Sequence, residues 1–384
     1  MYTIVFQLGF KCNLQCKYCR ERPLLNDSTK VAVDKYESFC RAIRLGIPKN
    51  KMEQFAKTAH FMFAGGEPMM APPSYFESLL QAEAEAFSPF PIQNHSLQTN
   101  LTLLNKGWVE FLKSERHRLY LGVSYDVVGD DRVFRNGRLS NDKVRRNIDT
   151  LREHEIPFGV NCVIDSKSLE RMQDAIDIFE KEGLDFRFQL IQDKGSEFSA
   201  ERYAQVFMTA FRKYYMNSKS KVVWMNPVAY IMDLIMGNWH SFLCTHAHCT
   251  NWMLFVLANG DVAHCPAMYE VEVGKGVKPL IYGNLLTDGF SKILTSKSKK
   301  KMMGCFDEID RKDSDCKNCP EKSICSRGCR ADVVMEGGDP SREKSIFWCH
   351  VNEILYPELK QFIEKHPIPR NIKLSQALRN EGIE

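Results

Sequence analysis

Short apolar runs alternate with longer amphipathic stretches through the first two hundred residues of the chain. The short runs are rich in β-branched and aromatic residues and predict strands, at residues 3–8, 60–64, 95–98, 120–124, 158–163 and 186–191. The longer stretches repeat apolar residues every three or four positions and predict helices, at residues 33–46, 74–87, 105–114, 142–155 and 169–183. Strands that alternate with helices predict parallel βαβ units, arranged as an open sheet or a partial barrel.

The pattern changes in the second half of the chain. Residues 200–215 and 228–236 have helical patterns, whereas residues 244–350 contain short runs, turns and cysteines with little apolar core. A segment of that kind needs cross-links or metals to hold it. In parallel α/β folds the ligand binds at the carboxyl ends of the strands. Cys12, Gly65, Asn100 and Asp126 each follow a predicted strand, so we expect functional residues at these positions.

Composition narrows the class of protein. The 384 residues are 44% hydrophobic and 26% charged, which excludes wholesale disorder and suggests two or three domains. The 52 Lys and Arg against 48 Asp and Glu leave a net charge of +4, too close to neutral to indicate nucleic acid. The longest apolar run, residues 253–258, is far shorter than the roughly 20 residues of a membrane helix. No export signal is visible at the start, so a cytoplasmic location is expected.

Cysteine is the informative residue type. Fourteen cysteines in a chain without an export signal indicate metal or redox chemistry more than disulfides. Three of them crowd the start of the chain, at Cys12, Cys16 and Cys19, and nine lie between residues 244 and 349. Cys40, Cys162 and Cys305 fall outside every motif and are expected to be plain core or surface thiols.

The first cluster is Cys12-x3-Cys16-x2-Cys19, directly after the first predicted strand and with Tyr18 before its last cysteine. Zinc sites normally use paired knuckles and four ligands, so three thiolates in one loop fit zinc poorly. Three thiolates on a four-iron cluster leave one iron open. The motif resembles the signature of the radical SAM superfamily. The resemblance implies that the open iron binds S-adenosylmethionine (SAM) and that an electron cleaves it to a 5′-deoxyadenosyl radical. A structural three-thiol zinc site or a chance cluster is the alternative.

Further motifs support the same resemblance. FAGGEP, at residues 63–68, places Gly65, Gly66 and Glu67 after the second strand, where relatives use this motif to hold the amino group of SAM. Other positions match SAM-binding residues of the family less closely. They are Tyr18, Ser124 and Asp126 in a Ser-x-Asp pattern, Arg135 as a partner of the SAM carboxylate, and Asn161 on the fifth strand. Asn161 and Gln189, on the sixth strand, either face the cofactor or line the barrel.

The C-terminal cysteines resemble the auxiliary iron–sulfur extension called SPASM. Their spacing is Cys249-x10-Gly260-x4-Cys265, then Cys316-x2-Cys319-x5-Cys325-x3-Cys329, and finally Cys349. The resemblance implies two auxiliary 4Fe–4S clusters, one held by Cys244, Cys249, Cys265 and Cys329 and the other by Cys316, Cys319, Cys325 and Cys349. Two alternatives stay open. Cys316, Cys319, Cys325 and Cys329 could form a zinc site, and His246, His248 or His264 could replace a cysteine ligand.

The fold class expected from these motifs is α/β, a partial parallel (βα)6 barrel followed by a small cysteine-rich auxiliary cluster domain. The expected domains are a radical SAM partial barrel (1–199), a helical bridge (200–243), a SPASM-like domain (244–355) and a C-terminal tail (356–384) broken by Pro357, Pro367 and Pro369. Three 4Fe–4S clusters and SAM are the expected cofactors. A flavodoxin or ferredoxin is the expected electron donor, and no nucleic acid or membrane partner is expected.

The expected function is hydrogen abstraction from a side chain of a peptide or protein, as in a cross-linking or oxidising maturase of a ribosomally made peptide. Eleven residues precede Cys12, so no N-terminal leader-recognition domain is expected and the substrate would bind in trans. The run Lys297, Lys299, Lys300 and Lys301 is either a solvated face or a docking site for an acidic segment.

Three alternatives to that function stay open. A radical dehydrogenase of a small molecule usually has fewer auxiliary cysteines, and a non-catalytic metal-stabilised module would have no use for the GGEP motif. Formylglycine formation is the activity of sulfatase maturases, which place an aspartate, the proposed general base, at the position of Pro266. Proline has no proton acceptor, and the next carboxylate, Glu270, could serve only if the chain folds back. The sequence therefore disfavours formylglycine formation.

Overall fold

A computed structural model describes residues 2–25, 29–191, 199–236 and 249–380. These residues form nine strands: β1 (Thr3–Gln7), β2 (His60–Ala64), β3 (Asn94–Thr99), β4 (Leu119–Ser124), β5 (Phe158–Ile164), β6 (Phe186–Leu190), β7 (Met253–Val256), β8 (Asp261–Ala263) and β9 (Ile281–Asn284). The chain divides into two compact units. The first comprises Met1–Ser124, Asp131–Phe158 and Thr250–Met303, and the second comprises Tyr125–Asp130, Gly159–Cys249 and Gly304–Glu384.

Helices make up most of the remaining structure. In chain order they are α1 (Val33–Gly46), α2 (Met52–Thr58), α3 (Pro73–Ala86), α4 (Lys106–Glu115), α5 (Asn141–Glu153), α6 (Met172–Glu182), α7 (Ala200–Met216), α8 (Met225–Met236), α9 (Cys249–Trp252), α10 (Pro266–Gly274), α11 (Phe290–Leu294), α12 (Lys297–Met303), α13 (Cys305–Lys312), α14 (Ser314–Asn318), α15 (Arg330–Met335), α16 (Ile346–Lys365) and α17 (Ile372–Asn380). Short 3₁₀ turns occupy Arg22–Leu24, Lys49–Lys51, Pro68–Met70 and Leu169–Arg171.

The first unit is built on a sheet with the strand order β4-β3-β2-β1-β7-β8-β9. Strands β1 to β4 are parallel, and β7 extends the parallel part by pairing with β1. Strands β8 and β9 are antiparallel. Because side chains alternate along a strand, β1 has two different faces. Phe6 lies 5.0 Å from the ring of Tyr36 in α1, whereas Val5 and Gln7 point to the opposite face.

The second unit contains a parallel pair of strands and most of the C-terminal helices. Strands β5 and β6 pair with Asn161 opposite Arg187, and the ring of Phe186 stacks on Phe179 of α6 at 4.5 Å. Helices α7 and α16 pack together through aromatic side chains, with the ring of Phe362 5.5 Å from Phe211 and 5.2 Å from Tyr215.

The structure confirms the six strands and seven helices expected before residue 237, with ends shifted by a few residues. Strands β7 to β9 were not expected, and they attach residues 250–303 to the first unit. The expected break at Pro357 was wrong, because α16 passes through this proline to Lys365. The domain boundaries expected from the sequence stay a prediction. Across the described ranges, the structure has no helix long and apolar enough to span a membrane.

Candidate functional site

The three-cysteine loop follows β1 in the first unit and is fixed by backbone hydrogen bonds to residues 131–134. Gln15 N donates to Val133 O and Lys17 N donates to Asp131 O, both at 2.8 Å. The amide of Cys19 donates to Cys16 O at 3.2 Å, which makes a turn between the last two cysteines. The three thiols are buried or half-buried, and burial raises the pKa of Cys12 and Cys19 to about 12. The loop is therefore held in a defined shape by the protein itself.

The turn after β2 packs directly on the residues that precede Cys12. Gly65 and Gly66 have φ values of 97° and 56°, which favour glycine because it has no Cβ. A Cβ on Gly65 would lie 2.5 Å from Gly9 O, and one on Gly66 would overlap the carbonyl of Lys11. Glu67 N donates to Lys11 O at 2.9 Å. Both glycines are thus required for the close approach of this turn to the cysteine loop.

Glu67 is the buried carboxylate of this site, with 3% of its surface exposed. It accepts hydrogen bonds from Thr99 Oγ1 at 2.6 Å, from the Asn100 amide at 2.7 Å and from the Met69 amide at 2.9 Å. Burial raises the pKa of Glu67, while these three donors and the charge of Arg132 lower it. These donors fix the carboxylate at the carboxyl ends of β2 and β3.

Asn100 connects this carboxylate to the cysteine loop. Its backbone donates to Glu67, and its side-chain Nδ2 donates to Asn13 Oδ1 at 3.0 Å and to Cys12 Sγ at 3.8 Å. The sequence singled out Asn100 only as a residue after a strand. The structure shows that it joins the two motifs expected to bind the cluster and SAM.

Two arginines contact the loop, and the sequence identified only the outer one. Arg135 is exposed and its Nη2 donates to Cys12 O at 3.2 Å. Arg132 is 8% exposed, its Nη1 lies 3.9 Å from Cys16 Sγ, and its guanidinium lies 5.6 Å from the ring centroid of Tyr18. Arg132 is therefore the buried positive charge beside the thiols and Glu67. No motif pointed to it, because its approach to Cys16 depends on the pairing of residues 131–134 with the loop.

We expect the buried guanidinium of Arg132 to donate a hydrogen bond to SAM bound at the cysteine loop. Arg132→Met should then lower SAM affinity by about tenfold or more, because hydrogen bonds to charged groups contribute about 1.5–3 kcal/mol. Arg138→Met is the matched control, since it removes the same charge from a nearby exposed position that is not among the expected SAM contacts. Calorimetric titration of reconstituted protein with SAM measures both affinities, and iron content shows whether the loop still holds its metal. Equal affinities for the two variants would contradict a special role for Arg132.

The other expected cofactor contacts lie in both units. In the first unit, Ser124 Oγ accepts a hydrogen bond from Gln98 Nε2 at 2.8 Å. In the second unit, Asp126 is buried and its Oδ1 accepts from the Val163 amide at 2.9 Å. Asn161 Oδ1 accepts from Arg187 Nε. The contact of Asp126 with β5 is a structural one, and the roles of these residues toward SAM stay predictions.

Two carboxylates that the sequence did not place at the site lie beside the loop. Glu21 Oε2 accepts from the Gly66 amide at 2.7 Å, and its pKa is raised by burial and lowered by Gly66 and Gln7. The pKa of Glu270 is raised by burial and by the charge of Glu21, and lowered by Arg20. Glu270 lies on α10, and its charge also raises the pKa of Cys19, with smaller effect than burial and Glu21.

Four C-terminal cysteines line one pocket in the second unit: Cys316, Cys319, Cys325 and Cys349. Asn352 Nδ2 lies 3.6 Å from Cys325 Sγ, and Lys344 also lines the pocket. Burial raises the pKa of Cys316 to about 11 and that of Cys349 to about 12, while the charge of Lys344 lowers both. Four thiols around one pocket are the donor set of a four-iron cluster. The fourth cysteine that lines the pocket is Cys349, whereas the zinc alternative has Cys329 as its fourth ligand.

No single-ion site is formed by His, Cys, Asp or Glu side chains anywhere in the part of the chain that the structure describes.

Of the other described auxiliary cysteines, Cys265 belongs to the first unit, and Cys249 and Cys329 belong to the second. Cys265 caps α10, with its Sγ accepting from the Met268 amide at 3.3 Å. Cys249 begins α9 and Cys329 precedes α15. Cys244, His246 and His248 lie outside the described residues. The grouping of Cys244, Cys249, Cys265 and Cys329, and any role of His264 as a ligand, therefore stay predictions.

The remaining candidates have simpler positions. Cys40, Cys162 and Cys305 are fully buried, as expected for core thiols. In the lysine run on α12, Lys299 is buried and its Nζ donates to Thr250 O at 2.7 Å. Lys297, Lys300 and Lys301 are exposed. The four lysines therefore differ in exposure, and buried Lys299 binds the backbone of Thr250, the residue that follows Cys249.

Comparisons with known proteins match both motif regions. The family model of the radical SAM superfamily matches residues 6–179, and that of SPASM, an iron–sulfur cluster-binding domain, matches residues 244–320. A serine-type anaerobic sulfatase-maturating enzyme of Klebsiella pneumoniae is 27% identical over 42% of this chain and 40% of its own length. The chain thus spans less than half of that relative in this match. The serine-type enzyme of Klebsiella aerogenes is 22% identical over 88% of this chain and 82% of its own length.

A solved structure has the same fold. Native anSMEcpe with bound AdoMet and Cp18Cys peptide aligns with a TM-score of 0.75, at 18% identity, over 94% of this chain and 99% of that one. The likeness confirms an α/β fold with a parallel sheet and a C-terminal cysteine-rich domain.

Proposed function

The chain is a radical SAM superfamily enzyme with an iron–sulfur cluster-binding SPASM domain, and from that premise we propose that it oxidises a side chain of a peptide or protein. SAM and 4Fe–4S clusters are its cofactors. We assign the SAM-binding cluster to Cys12, Cys16 and Cys19. When bound there, cluster and SAM supply a 5′-deoxyadenosyl radical, and the protein binds, orients and shields the reacting groups.

The observation that carries this proposal is the connection from Glu67 through Asn100 to Cys12. Glu67 is a fixed, buried acceptor suited to an ammonium group. Asn100 connects it to the loop, because Asn100 donates hydrogen bonds both to Glu67 and to the Cys12 thiol. Arg132 supplies a positive charge on the same side of the loop. Tyr18, Gly65, Gly66, Ser124, Asp126, Arg135 and Asn161 complete the proposed set of SAM contacts.

The auxiliary cysteines serve electron transfer or substrate anchoring in this proposal. Cys316, Cys319, Cys325 and Cys349 hold one cluster in the pocket that they line. Cys244, Cys249, Cys265 and Cys329 hold the other, which gives three clusters with the SAM-binding one. A flavodoxin or ferredoxin supplies electrons.

Two substrate classes have support. An oxidising or cross-linking maturase of a ribosomally made peptide is consistent with the full set of auxiliary cysteines. Formylglycine formation is the second candidate, supported by similarity to sulfatase-maturating enzymes over most of the chain. The sequence disfavoured this activity because Pro266 carries no carboxylate. Glu270 weakens that objection, since it is a carboxylate on α10 whose charge raises the pKa of Cys19.

We expect the reconstituted enzyme to cleave SAM with a reductant and to cleave it faster with a peptide substrate. Sulfatase-type peptides bearing Ser or Cys at the target position test the formylglycine candidate, with the Ala peptide as control. Mass spectrometry detects the mass loss of aldehyde formation, and chromatography detects 5′-deoxyadenosine. SAM cleavage without any change in these peptides would reject formylglycine formation alone. No SAM cleavage at all would contradict the proposed enzyme.

A further inference from the structure

The pocket lined by four cysteines in the second unit also contains an asparagine side chain. Asn352 lies on α16 three residues after Cys349, so the two side chains share one face of that helix. Both line the pocket together with Cys316, Cys319 and Cys325. Helix α16 therefore supplies one cysteine of the pocket and an amide that faces the same space.

The side-chain amide of Asn352 donates to a sulfur atom. The residue is 7% exposed, and its Nδ2 donates to Cys325 Sγ at 3.6 Å. Its Oδ1 is buried and accepts no hydrogen bond from the residues that the structure describes. Buried amides are nearly always hydrogen-bonded, and a neutral thiol is a weak acceptor. A metal-bound thiolate is charged and accepts more strongly, so the placement of this amide suits Cys325 as a cluster ligand.

A backbone amide donates to the same sulfur atom. Arg327 N lies 3.4 Å from Cys325 Sγ and donates to it. The φ angle of Arg327 is 54°, which is uncommon for a residue with a Cβ. Its buried guanidinium fixes this conformation, because Nη2 donates to Asp310 at 2.9 Å and Nη1 donates to Lys322 O at 3.1 Å. Two N–H groups therefore converge on Cys325.

The charged side chains around the pocket offset one another. Three acidic and three basic residues line it: Asp315, Glu321, Glu353, Lys322, Arg327 and Lys344. Four of them form ion pairs with residues outside the lining, at distances of 2.6–3.1 Å. Because the charges of the lining balance, the uncharged N–H donors to Cys325 are the feature that favours one redox state of a bound cluster over the other.

We propose that Asn352 raises the reduction potential of the cluster held by the four cysteines of this pocket. The proposal rests on the proposed function, which places a 4Fe–4S cluster here. Reduction adds negative charge to the cluster and its thiolates, and an N–H donor to a ligand sulfur stabilises that charge. Asn352 acts through Cys325 and is a positioning residue. Its hydrogen bond makes this cluster a better acceptor of the electron that substrate oxidation releases.

The test compares wild type, Asn352→Leu and Asn318→Leu as full chains after cluster reconstitution. Leucine is similar in size to asparagine and donates no hydrogen bond from its side chain. Asn318 is the matched control, because it ends α14 beside Cys319 but is exposed and is not among the residues that line the pocket. Redox titration followed by EPR gives the midpoint potential. The signal of this cluster is the one that a variant with Cys316→Ala and Cys319→Ala lacks.

We expect Asn352→Leu to keep the wild-type iron content and to lower the midpoint potential of this signal. Loss of one hydrogen bond changes the reduction equilibrium by about tenfold, which corresponds to about 59 mV for one electron. Asn318→Leu should keep the wild-type potential. In wild type labelled with ¹⁵N at the side-chain amide of asparagine, pulsed EPR should show a ¹⁵N coupling in this signal. Asn352→Leu should lose that coupling.

An unchanged potential in Asn352→Leu would overturn the proposal, and so would an equal shift in Asn318→Leu. Loss of iron from Asn352→Leu would also overturn it, because the side chain would then hold the cluster rather than set its potential. Absence of the ¹⁵N coupling from wild type would overturn it without any variant. If Cys316→Ala with Cys319→Ala removes no iron and no signal, the cluster assignment in the proposed function fails. That result is distinguishable, because it appears before the Asn352 variant is compared.

Discussion

Replacing Cys12, Cys16 and Cys19 together by alanine is expected to abolish 5′-deoxyadenosine formation and to remove about one third of the iron. The three proposed four-iron clusters correspond to about a dozen irons per chain, of which the N-terminal loop would hold one third. The loop is fixed by backbone hydrogen bonds that do not involve the thiols. The variant should therefore stay folded, and the loss should reflect chemistry rather than unfolding.

The control variants are Cys40→Ala, Cys162→Ala and Cys305→Ala, made singly. Each removes a fully buried thiol that lies outside the motifs, so each should keep the full iron content and SAM cleavage. Iron is measured by colorimetric assay after anaerobic reconstitution, and the nucleoside by chromatography. If the triple variant still forms 5′-deoxyadenosine, the N-terminal loop does not hold the active cluster.

The sequence predicted the first six strands because most of them are short apolar or alternating runs, and α1 because its apolar positions repeat with helical spacing. Strands β7 to β9 are only three or four residues long, too short for a periodic signal. Strand β7 pairs with β1, which lies about 250 residues earlier in the chain. Such a pairing leaves no local pattern. Helix α16 continues through Pro357 because it packs on α7, and tertiary packing overrides local propensity.

The cysteine loop and the GGEP motif could be identified from sequence because each lies within a few consecutive residues. Their partners could not. Thr99 binds Glu67 because parallel strands place the ends of β2 and β3 at the same edge of the sheet. Arg132 reaches Cys16 through the pairing of two loops. The position of Glu270 on α10 depends on where the preceding strand β8 pairs, which leaves no local pattern in the sequence.

We expect the largest effect on stability from replacing cysteines that line the pocket of the second unit. Replacing Cys316 and Cys319 by alanine should lower the unfolding midpoint of the reconstituted protein by about 10 °C or more, because loss of a metal site costs more than about 4 kcal/mol. Binding of the proposed cluster here would be coupled to folding. The pocket joins α14, the turn at Cys325 and the start of α16 at Cys349, so a cluster there would connect three separate elements.

Limited proteolysis shows where the double variant loses structure, because cleavage should concentrate between residues 304 and 350. Replacing Lys344, which lines the pocket, should have a smaller effect on stability than replacing the two cysteines. Lys344 forms an ion pair with Asp313 at 3.1 Å and lowers the pKa of Cys316 and Cys349. Lys344→Met should therefore keep the iron but bind it less tightly, with a smaller shift of the midpoint. If the double variant keeps wild-type iron, protease resistance and SAM cleavage, these cysteines do not hold a cluster. The pocket would then be stabilised by Lys344, Asn352 and their neighbours alone.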